Sequence, residues 1–294
     1  MSKLVLVAGA AGGGQGATGR QVAESLLAKG VPVRAFVRTL DDRAERVRAL
    51  GAEVVAGDLR DIADVRSAMD GVDRVFFTYP VADGLLDATA AVATAAKQAR
   101  VRRLVEVSQL RPRPNSHSPR TRQHWLSEQI FDWAGVGAIH LRATVFYENI
   151  RVLVALADAG RLEVPLGEAG NAIPLVSARD VARMAVALLA EPERAAEPAY
   201  HLVGAVPTIR ELVADFGAVL GTSLEYVNID ERQWREWARA RGWDEHAIEH
   251  LSRLWQVLAN TGNRDEELWR VTDVVERVTG SRPESVREFL RAAG

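Results

Sequence analysis

The sequence predicts an α/β fold, in which a doubly wound, Rossmann-type parallel sheet carries helices on both faces and a smaller, mostly helical C-terminal lobe follows. Short apolar runs alternate with amphipathic stretches over the first 150 residues. A glycine-rich segment separates the first apolar run from the first amphipathic stretch. Apolar strands joined by helices indicate a parallel sheet that is covered on both faces. Right-handed crossovers then place ligands at the carboxyl ends of the strands.

The predicted elements follow in a regular order along the chain. Strands are predicted at 4–9, 31–38, 52–58, 73–80, 103–110 and 138–146. Helices are predicted between them at 20–30, 41–51, 61–71, 83–99 and 122–135. After residue 150 the pattern becomes more helical and irregular, with strand candidates at 173–177 and 199–204. We therefore predict a first domain over residues 1–150, with parts of 173–204 returning to its sheet, and a smaller lobe over 151–294.

The composition limits the classes of function. The 294 residues are 48% hydrophobic with a formal net charge of −2, which suits a substantial core and argues against a whole-surface nucleic-acid binder. There is no cysteine, which excludes disulfides, thiolate catalysis and zinc–thiolate sites, and no metal site is expected. No apolar segment approaches a membrane span, and the N-terminal run is too short for a signal peptide. We expect a soluble, cytoplasmic monomer or homodimer without nucleic-acid or membrane partners.

Residues 8–21 contain more glycines than a phosphate-binding turn needs. Gly9 directly follows the first strand, and Gly19 stands before the first helix, where a Cβ would crowd the helix against the strand. Nine residues separate these two glycines, whereas a compact Gly-x-x-Gly-x-x-Gly turn has five, which predicts a four-residue insertion in a dinucleotide-binding loop. Glycines let the backbone approach a pyrophosphate, and the helix N-terminus stabilises its charge. Besides Gly9 and Gly19, the expected contacts are Gly12, Gln15, Gly16, Ala17 and Thr18.

The end of the second strand predicts the choice of dinucleotide. A site for NAD would place a carboxylate there, to accept a hydrogen bond from the ribose 2′-hydroxyl. This chain has Arg38 instead, which favours a 2′-phosphate, and Arg43 could assist it. Asp41 and Asp42 are the competing candidates for NAD, but they directly precede a helix and are expected to cap it. We therefore predict NADP(H) as the cofactor.

Two further strand ends supply candidate cofactor contacts. Asp58 and Leu59 follow the third strand. Two roles are equally expected for Asp58: it contacts the adenine, or it caps the next helix. Tyr79 and Pro80 end the fourth strand and are expected near the cofactor ribose, with loop packing as the alternative for the tyrosine.

The chain resembles the NmrA-like branch of the short-chain dehydrogenases. The resemblance rests on an ordered series of motifs: VLVAGAAG…GATGRQVAESLLAKGVPVRAFVR, GAEVVAGDLRD, GVDRVFFTYP, VRRLVEVSQL, LRATVFYENI and IPLVSARDVA. It implies a bound dinucleotide and leaves the reaction open, because the group includes quinone oxidoreductases, azoreductases, isoflavone-reductase-like enzymes, redox sensors and transcriptional co-regulators. Two features depart from the family: the longer glycine loop, and Ala143 where many relatives carry proline.

The usual catalytic motif of short-chain dehydrogenases, Tyr-x-x-x-Lys, is absent, because no tyrosine precedes any of the three lysines by four residues. In the equivalent place, His124 and Glu128 lie one helical turn apart, a pattern that the resemblance to NmrA-like reductases supports. We expect the carboxylate to orient the imidazole and to raise its pKa, so that it donates a proton near neutral pH. The alternative is a polar pair at the helix surface.

Several other residues complete the predicted site. By resemblance, Ser108 is the strand-end serine of the family. Tyr147, after the sixth strand, is expected to line the nicotinamide face, with packing as the alternative. The basic loop 111–122 is expected to be solvated, or else to act as a lid or as a clamp for an anionic substrate. Five of the seven tryptophans fall within 234–269; most should pack in the core, and one or two should wall a pocket for a flat substrate.

Three functional hypotheses follow from these features. The leading one is an NADPH-dependent reductase of a quinone-like or other planar aromatic substrate. The second is a dinucleotide-binding redox sensor or regulator without turnover, which the missing Tyr-x-x-x-Lys motif favours. The third is a biosynthetic tailoring enzyme of the same fold.

Overall fold

The computed structural model describes residues 4–12, 17–191, 196–261 and 269–292. Its strands are β1 (Val5–Ala8), β2 (Val33–Val37), β3 (Glu53–Ala56), β4 (Arg74–Phe77), β5 (Arg103–Gln109), β6 (Ala138–Ala143), β7 (Val145–Phe146), β8 (Arg161–Glu163), β9 (Leu175–Val176), β10 (Ala199–Leu202) and β11 (Glu225–Val227). Its helices are α1 (Thr18–Ala28), α2 (Asp42–Ala49), α3 (Ile62–Ala68), α4 (Leu85–Gln98), α5 (Pro119–Ala134), α6 (Tyr147–Ala155), α7 (Ala178–Ala190), α8 (Ile209–Leu220), α9 (Glu231–Ala240), α10 (Glu245–Thr261), α11 (Val274–Thr279) and α12 (Val286–Ala292).

The central sheet has seven parallel strands in the order β10-β6-β5-β4-β1-β2-β3. The chain builds outward from β1 to β3 and then crosses to β4, on the other side of β1. The strand order therefore reverses between β1 and β4, which is where such sheets bind ligands. All six predicted strands of the first 150 residues are present and parallel, and the predicted doubly wound fold is confirmed.

Helices cover both faces of this sheet. On one face, α1 packs against α7, and α7 packs against α11; their apolar side chains share a core with β1, β2 and β6. On the other face, α3, α4 and α5 enclose a second core with Phe77 and Phe131, whose rings meet edge to face with centroids 5.2 Å apart. The inner strands β1 and β4 are buried throughout, which explains why they appear in the sequence as continuous apolar runs, whereas the edge strand β3 has only exposed and half-buried residues.

The two later strand candidates have different positions. Residues 199–202 form β10, which pairs with β6 at the edge of the central sheet, as predicted. Leu175 and Val176 form β9, which pairs instead with β7 in a separate two-stranded sheet. The C-terminal region has a third core, which includes the fully buried side chains of Trp234 and Trp255. No helix in the described residues is long and apolar enough to cross a membrane.

Candidate active site

A cleft of about 710 Å³ lies at the carboxyl ends of the central strands. One wall comes from the turns that follow β1, β2, β3 and β4, and the floor comes from the ends of β5 and β6. The opposite wall comes from α5, from the loop before it, and from α10 of the C-terminal region. The cleft thus lies where the reversal of strand order predicts a ligand.

The glycine turn after β1 leaves little room for side chains. Gly9 and Gly12 have positive φ angles of 69° and 74°, and the Gly12 N–H donates to the Gly9 carbonyl oxygen at 3.0 Å. A Cβ on Gly19 would lie 2.6 Å from the carbonyl oxygens of both Ala8 and Gly9. The predicted reason for glycine at position 19, crowding of the helix against the strand, is therefore correct.

The first helix begins earlier than predicted. Ala17 caps it in the left-handed conformation, with φ 45°, and the helix starts at Thr18. Both residues line the cleft, so the helix N-terminus faces it. The predicted phosphate contacts Gln15 and Gly16, with the rest of the proposed insertion, lie outside the described residues.

Two guanidinium groups lie beyond the end of β2. Arg38 is exposed and lines the cleft, and Arg43 lines it as well. Asp41 is the N-cap of α2, as predicted, and accepts hydrogen bonds from the backbone N–H groups of Arg43 and Ala44 at 2.9 and 3.2 Å. Its other oxygen accepts from the Arg43 guanidinium at 2.6 Å, which lowers the pKa of Asp41. Asp41 is thus committed to the helix cap and to Arg43.

The end of β3 excludes one of the two alternatives for Asp58. The N-cap of α3 is Asp61, which accepts from the Ala63 N–H at 2.7 Å, so the capping alternative for Asp58 is wrong. Asp58 and its neighbour Leu59 line the cleft. The Arg60 guanidinium donates to Asp58 at 2.6 Å and lowers the pKa of that carboxyl to about 2.

An arginine that the sequence did not single out holds the turn after β4. Arg120 is 1% exposed and donates to the carbonyl oxygens of Tyr79, Pro80 and Ala82 at 3.2, 2.7 and 3.1 Å. Tyr79, Pro80 and Arg120 all line the cleft, and the guanidinium carbon lies 5.9 Å from the centroid of the Tyr79 ring. Burial lowers the pKa of Arg120 to about 10, so the buried group still carries its charge at neutral pH.

The predicted pair of His124 and Glu128 does not form. Glu128 is 1% exposed, and its two oxygens accept from the Arg142 guanidinium at 2.6 and 3.0 Å. The Ser108 hydroxyl also donates to Glu128, at 2.7 Å. The spacing alone could not show that Glu128 points to the sheet, where a cation on β6 meets it.

His124 itself does line the cleft. Its Nδ1 atom is buried and has no hydrogen-bond partner. Burial, assisted by the nearby charge of Arg120, holds the pKa of His124 well below its usual range. The predicted rise in pKa is therefore wrong, and the imidazole is neutral at physiological pH.

A second buried network lies beneath Ser108. Glu106 accepts from the Ser127 hydroxyl at 2.8 Å and pairs with Nδ1 of His140 at 2.6 Å. Burial alone would lower the pKa of His140, but the hydrogen bond and charge of Glu106 raise it to about 9. Glu106, Glu128 and His140 are close enough to suit a metal ion, yet each carboxylate already has a cationic partner, His140 or Arg142. The cluster is balanced in charge as it stands.

Tyr147 is not part of the cleft, and this prediction is wrong. The side chain is completely buried, and its hydroxyl donates to the Glu284 carbonyl oxygen at 3.0 Å. Its ring packs against Phe289, with centroids 5.3 Å apart. As the first residue of α6, Tyr147 faces the core of the C-terminal region, and Phe146 and Asn149 line the cleft instead.

The far wall of the cleft combines apolar and aromatic groups with neutral polar ones. Trp243 and Trp255 line it, whereas Trp234 is a core residue stacked on Trp237 with centroids 5.2 Å apart. His250, which the sequence did not single out, is 6% exposed and meets the Ser118 hydroxyl through Nδ1 at 3.3 Å. Burial lowers the pKa of His250 to about 3.

Comparisons with known proteins agree with this architecture. A model of the NmrA-like family matches residues 1–290. The NAD(P)H azoreductase of Xenophilus azovorans is 29% identical over 284 residues, which are 95% of this chain and 96% of that protein. A (4-alkanoyl-5-oxo-2,5-dihydrofuran-3-yl)methyl phosphate reductase of Streptomyces griseus is 35% identical over 228 residues, 76% of each chain. The structure of an Escherichia coli NADPH-dependent quinone oxidoreductase complexed with NADPH superposes with a TM-score of 0.82 over 99% of both chains, at 22% identity.

Proposed function

The chain belongs to the NmrA-like family, and we propose that it is an NADPH-dependent reductase that transfers a hydride to a quinone-like or other planar aromatic acceptor. The observation that carries this proposal is the composition of the cleft. One end has the glycine turn, a helix N-terminus and two arginines; the other has an apolar wall with two tryptophans. The relatives named as an azoreductase and a quinone oxidoreductase support the same class of reaction.

The residues at the first end fit a phosphorylated dinucleotide. A Cβ on Gly19 would strike the backbone of Ala8 and Gly9, and Gly9 has a positive φ angle, so both positions favour glycine beside the proposed pyrophosphate site. The first N–H groups of a helix have no partner within the helix, and the N-terminal end of its dipole favours an anion. Arg38 and Arg43 would hold the 2′-phosphate. Asp41 is held by the helix cap and by Arg43, and neither Asp41 nor Asp42 is among the described residues that line the cleft, which disfavours a carboxylate contact to the ribose 2′-hydroxyl of NADH. When bound, NADPH supplies the hydride.

The chain's own contribution is placement and hydrogen bonding. Reduction of a quinone-like carbonyl places negative charge on its oxygen. A neutral imidazole can donate one hydrogen bond to that oxygen. His124 and His250 are both neutral imidazoles that line the cleft. Nδ1 of His250 already meets Ser118, so we assign the donor role to His124, whose Nδ1 has no partner. Ser108 lines the cleft, and its proton is directed to Glu128, so toward a substrate this hydroxyl would act as a hydrogen-bond acceptor.

We assign the apolar wall to the acceptor and treat residues 151–294 as the lobe that binds the substrate. Leu251, Leu254, Trp255 and Leu258 come from α10 and line this part of the cleft. A flat apolar body gains about 25 cal/mol for each Å² of apolar surface that it removes from water there. These side chains would also exclude water from the reacting atoms when the acceptor is bound.

NADPH oxidation against a panel of quinones and azo dyes tests the proposal. We expect oxidation that depends on the acceptor and saturates with it, together with a lower dissociation constant for NADPH than for NADH. Tight NADPH binding without acceptor-dependent oxidation on the whole panel would instead favour the sensor hypothesis. Tighter binding of NADH than of NADPH would contradict the role of Arg38.

A further inference from the structure

The charged residues that line the cleft are almost all cationic. Among the described lining residues there are six arginines and one acid, namely Arg38, Arg43, Arg111, Arg113, Arg120, Arg253 and Asp58. The first two arginines and Asp58 follow β2 and β3, at the proposed cofactor end. The other four belong to the loop after β5, to α5 and to α10, and no acid in the described lining accompanies them. Arg253 pairs with Glu249 at 2.9 Å, so the positive charge of the proposed acceptor half rests on Arg113 and Arg120, for which the described residues show no carboxylate partner.

Arg120 is the fixed centre of this positive charge. It is 1% exposed, its hydrogen bonds go to backbone carbonyl oxygens, and its Nε has no partner. No carboxylate in the described residues forms an ion pair with it. Asp83, which acts on its charge from a distance, is 90% exposed and pairs with His246 at 2.9 Å. Burial of a charge without a counterion is costly, and an anion in the cleft would offset that cost.

The groups around Arg120 neither cancel its charge nor add to it. His124 and His250 line the cleft beside it, and burial together with the charge of Arg120 lowers the pKa of both imidazoles. They are neutral hydrogen-bonding groups at pH 7. Arg113 lies at the exposed rim of the same cleft. An anionic group would thus meet one buried cation, one exposed cation and two neutral imidazoles.

We propose that the acceptor half of the cleft selects planar aromatic substrates that carry a carboxylate or sulfonate group. The aromatic body lies against the apolar wall of α10, and the anionic group is attracted by Arg120 and Arg113. This inference rests on the proposed function, because it assigns this half of the cleft to the acceptor. The basic loop before α5, which carries Arg113, would then contribute to substrate specificity.

The test compares two ligands of nearly the same shape. Naphthalene-2-sulfonate is anionic, and naphthalene-2-sulfonamide is neutral at pH 7. Their binding to the protein saturated with NADP⁺ is followed by quenching of tryptophan fluorescence, since Trp243 and Trp255 line the cleft. We expect the sulfonate to bind about tenfold tighter at low salt, a preference that shrinks as salt is added. Equal or tighter binding of the sulfonamide would overturn the proposal and leave the arginines to the cofactor alone.

Variants test which arginines cause the preference for the sulfonate. Arg113 is exposed, so Arg113→Gln should fold normally and should weaken sulfonate binding about two- to fivefold, with no change for the sulfonamide. The matched control is Arg232→Gln, which makes the same change in net charge on α9, where the side chain is 73% exposed. Arg120→Gln should abolish the preference and Arg120→Lys should keep part of it. Equal losses in the Arg113 and Arg232 variants would show a bulk charge effect and contradict the proposal.

The binding measurement needs no turnover, so the reductase function and the preference for anionic substrates can be refuted independently. A protein that prefers the sulfonate but oxidises no NADPH would contradict the reductase proposal alone. A protein that reduces quinones yet binds both naphthalenes equally would contradict the anionic preference alone.

Discussion

Replacement of Glu128 tests the position of this residue, because the structure and the sequence pattern give it different partners. In the structure Glu128 is a buried counterion of Arg142 and the acceptor for Ser108. Removal of one partner of a fully buried ion pair costs about 3–5 kcal/mol. Arg142 is 27% exposed, so water can solvate part of its charge, and we expect Glu128→Ala to lower the free energy of unfolding by about 2–3 kcal/mol.

The assay is urea unfolding of four proteins in a double-mutant cycle: the wild type, Glu128→Ala, Arg142→Met and the double variant. Because each single variant leaves one charge unpaired, the double variant should be no less stable than Glu128→Ala, with a coupling free energy of about 1–3 kcal/mol. His124→Ala combined with Glu128→Ala should give additive losses. Coupling of Glu128 to His124 rather than to Arg142 would refute this reasoning and restore the pair that the sequence pattern predicts.

Three further predictions concern separate parts of the molecule. Arg38→Gln should raise the dissociation constant of NADPH about tenfold and leave that of NADH unchanged, since it removes one charge-assisted contact to the 2′-phosphate; equal effects on both dinucleotides would contradict this. Tyr147→Phe should lower the free energy of unfolding by about 1–2 kcal/mol, through the lost hydrogen bond to Glu284, without affecting turnover; a large loss of turnover would return this residue to the site. The pKa of His140 is raised to about 9 in the folded state from about 6.5, so its pairing stabilises the protein fully below pH 6.5, and this contribution disappears as the pH rises through 9. At 1.36 kcal/mol per pH unit the loss is about 3 kcal/mol. Urea unfolding between pH 6 and 10 should show this loss in the wild type and not in His140→Gln. The same change in the free energy of unfolding with pH in both proteins would refute the prediction.

The fold was predictable because its signals are local and repeated. The inner strands β1 and β4 are buried throughout, so their apolar runs are conspicuous in the sequence, and each of the strands β1 to β5 is followed by a helix. Gly9 and Gly19 were predictable for a related reason, since the strand before and the helix after them fix their positions. The later strand candidates lacked this context: Leu175 and Val176 form a strand, but it pairs outside the central sheet.

The polar part of the site was less predictable, because it depends on which neighbouring strand or helix each side chain faces. Helical spacing places His124 and Glu128 on neighbouring parts of one surface, but it does not say which of them meets the sheet. The deciding partner, Arg142, lies on β6. Glu106, His140 and Arg142 were nevertheless a usable signal, because charged residues within buried strands require buried partners.

Arg120 and His250 were missed for another reason. Arg120 stands in a stretch of basic residues whose members look alike in sequence, and only its three bonds to the turn after β4 distinguish it. His250 reaches the cleft from α10, far along the chain from the strand ends that form the proposed cofactor end. Tyr147 was misplaced because the start of α6 turns it toward the C-terminal core, which no local pattern indicates.

Single-turnover oxidation of bound NADPH tests the central claim most directly. The protein is saturated with NADPH, mixed with a quinone or azo acceptor, and followed by loss of the reduced-nicotinamide absorbance. The proposed function predicts rapid oxidation with one acceptor reduced per NADPH, and a slower rate in His124→Ala with an unchanged dissociation constant for NADPH. NADPH that stays bound and reduced in the presence of every acceptor would contradict it.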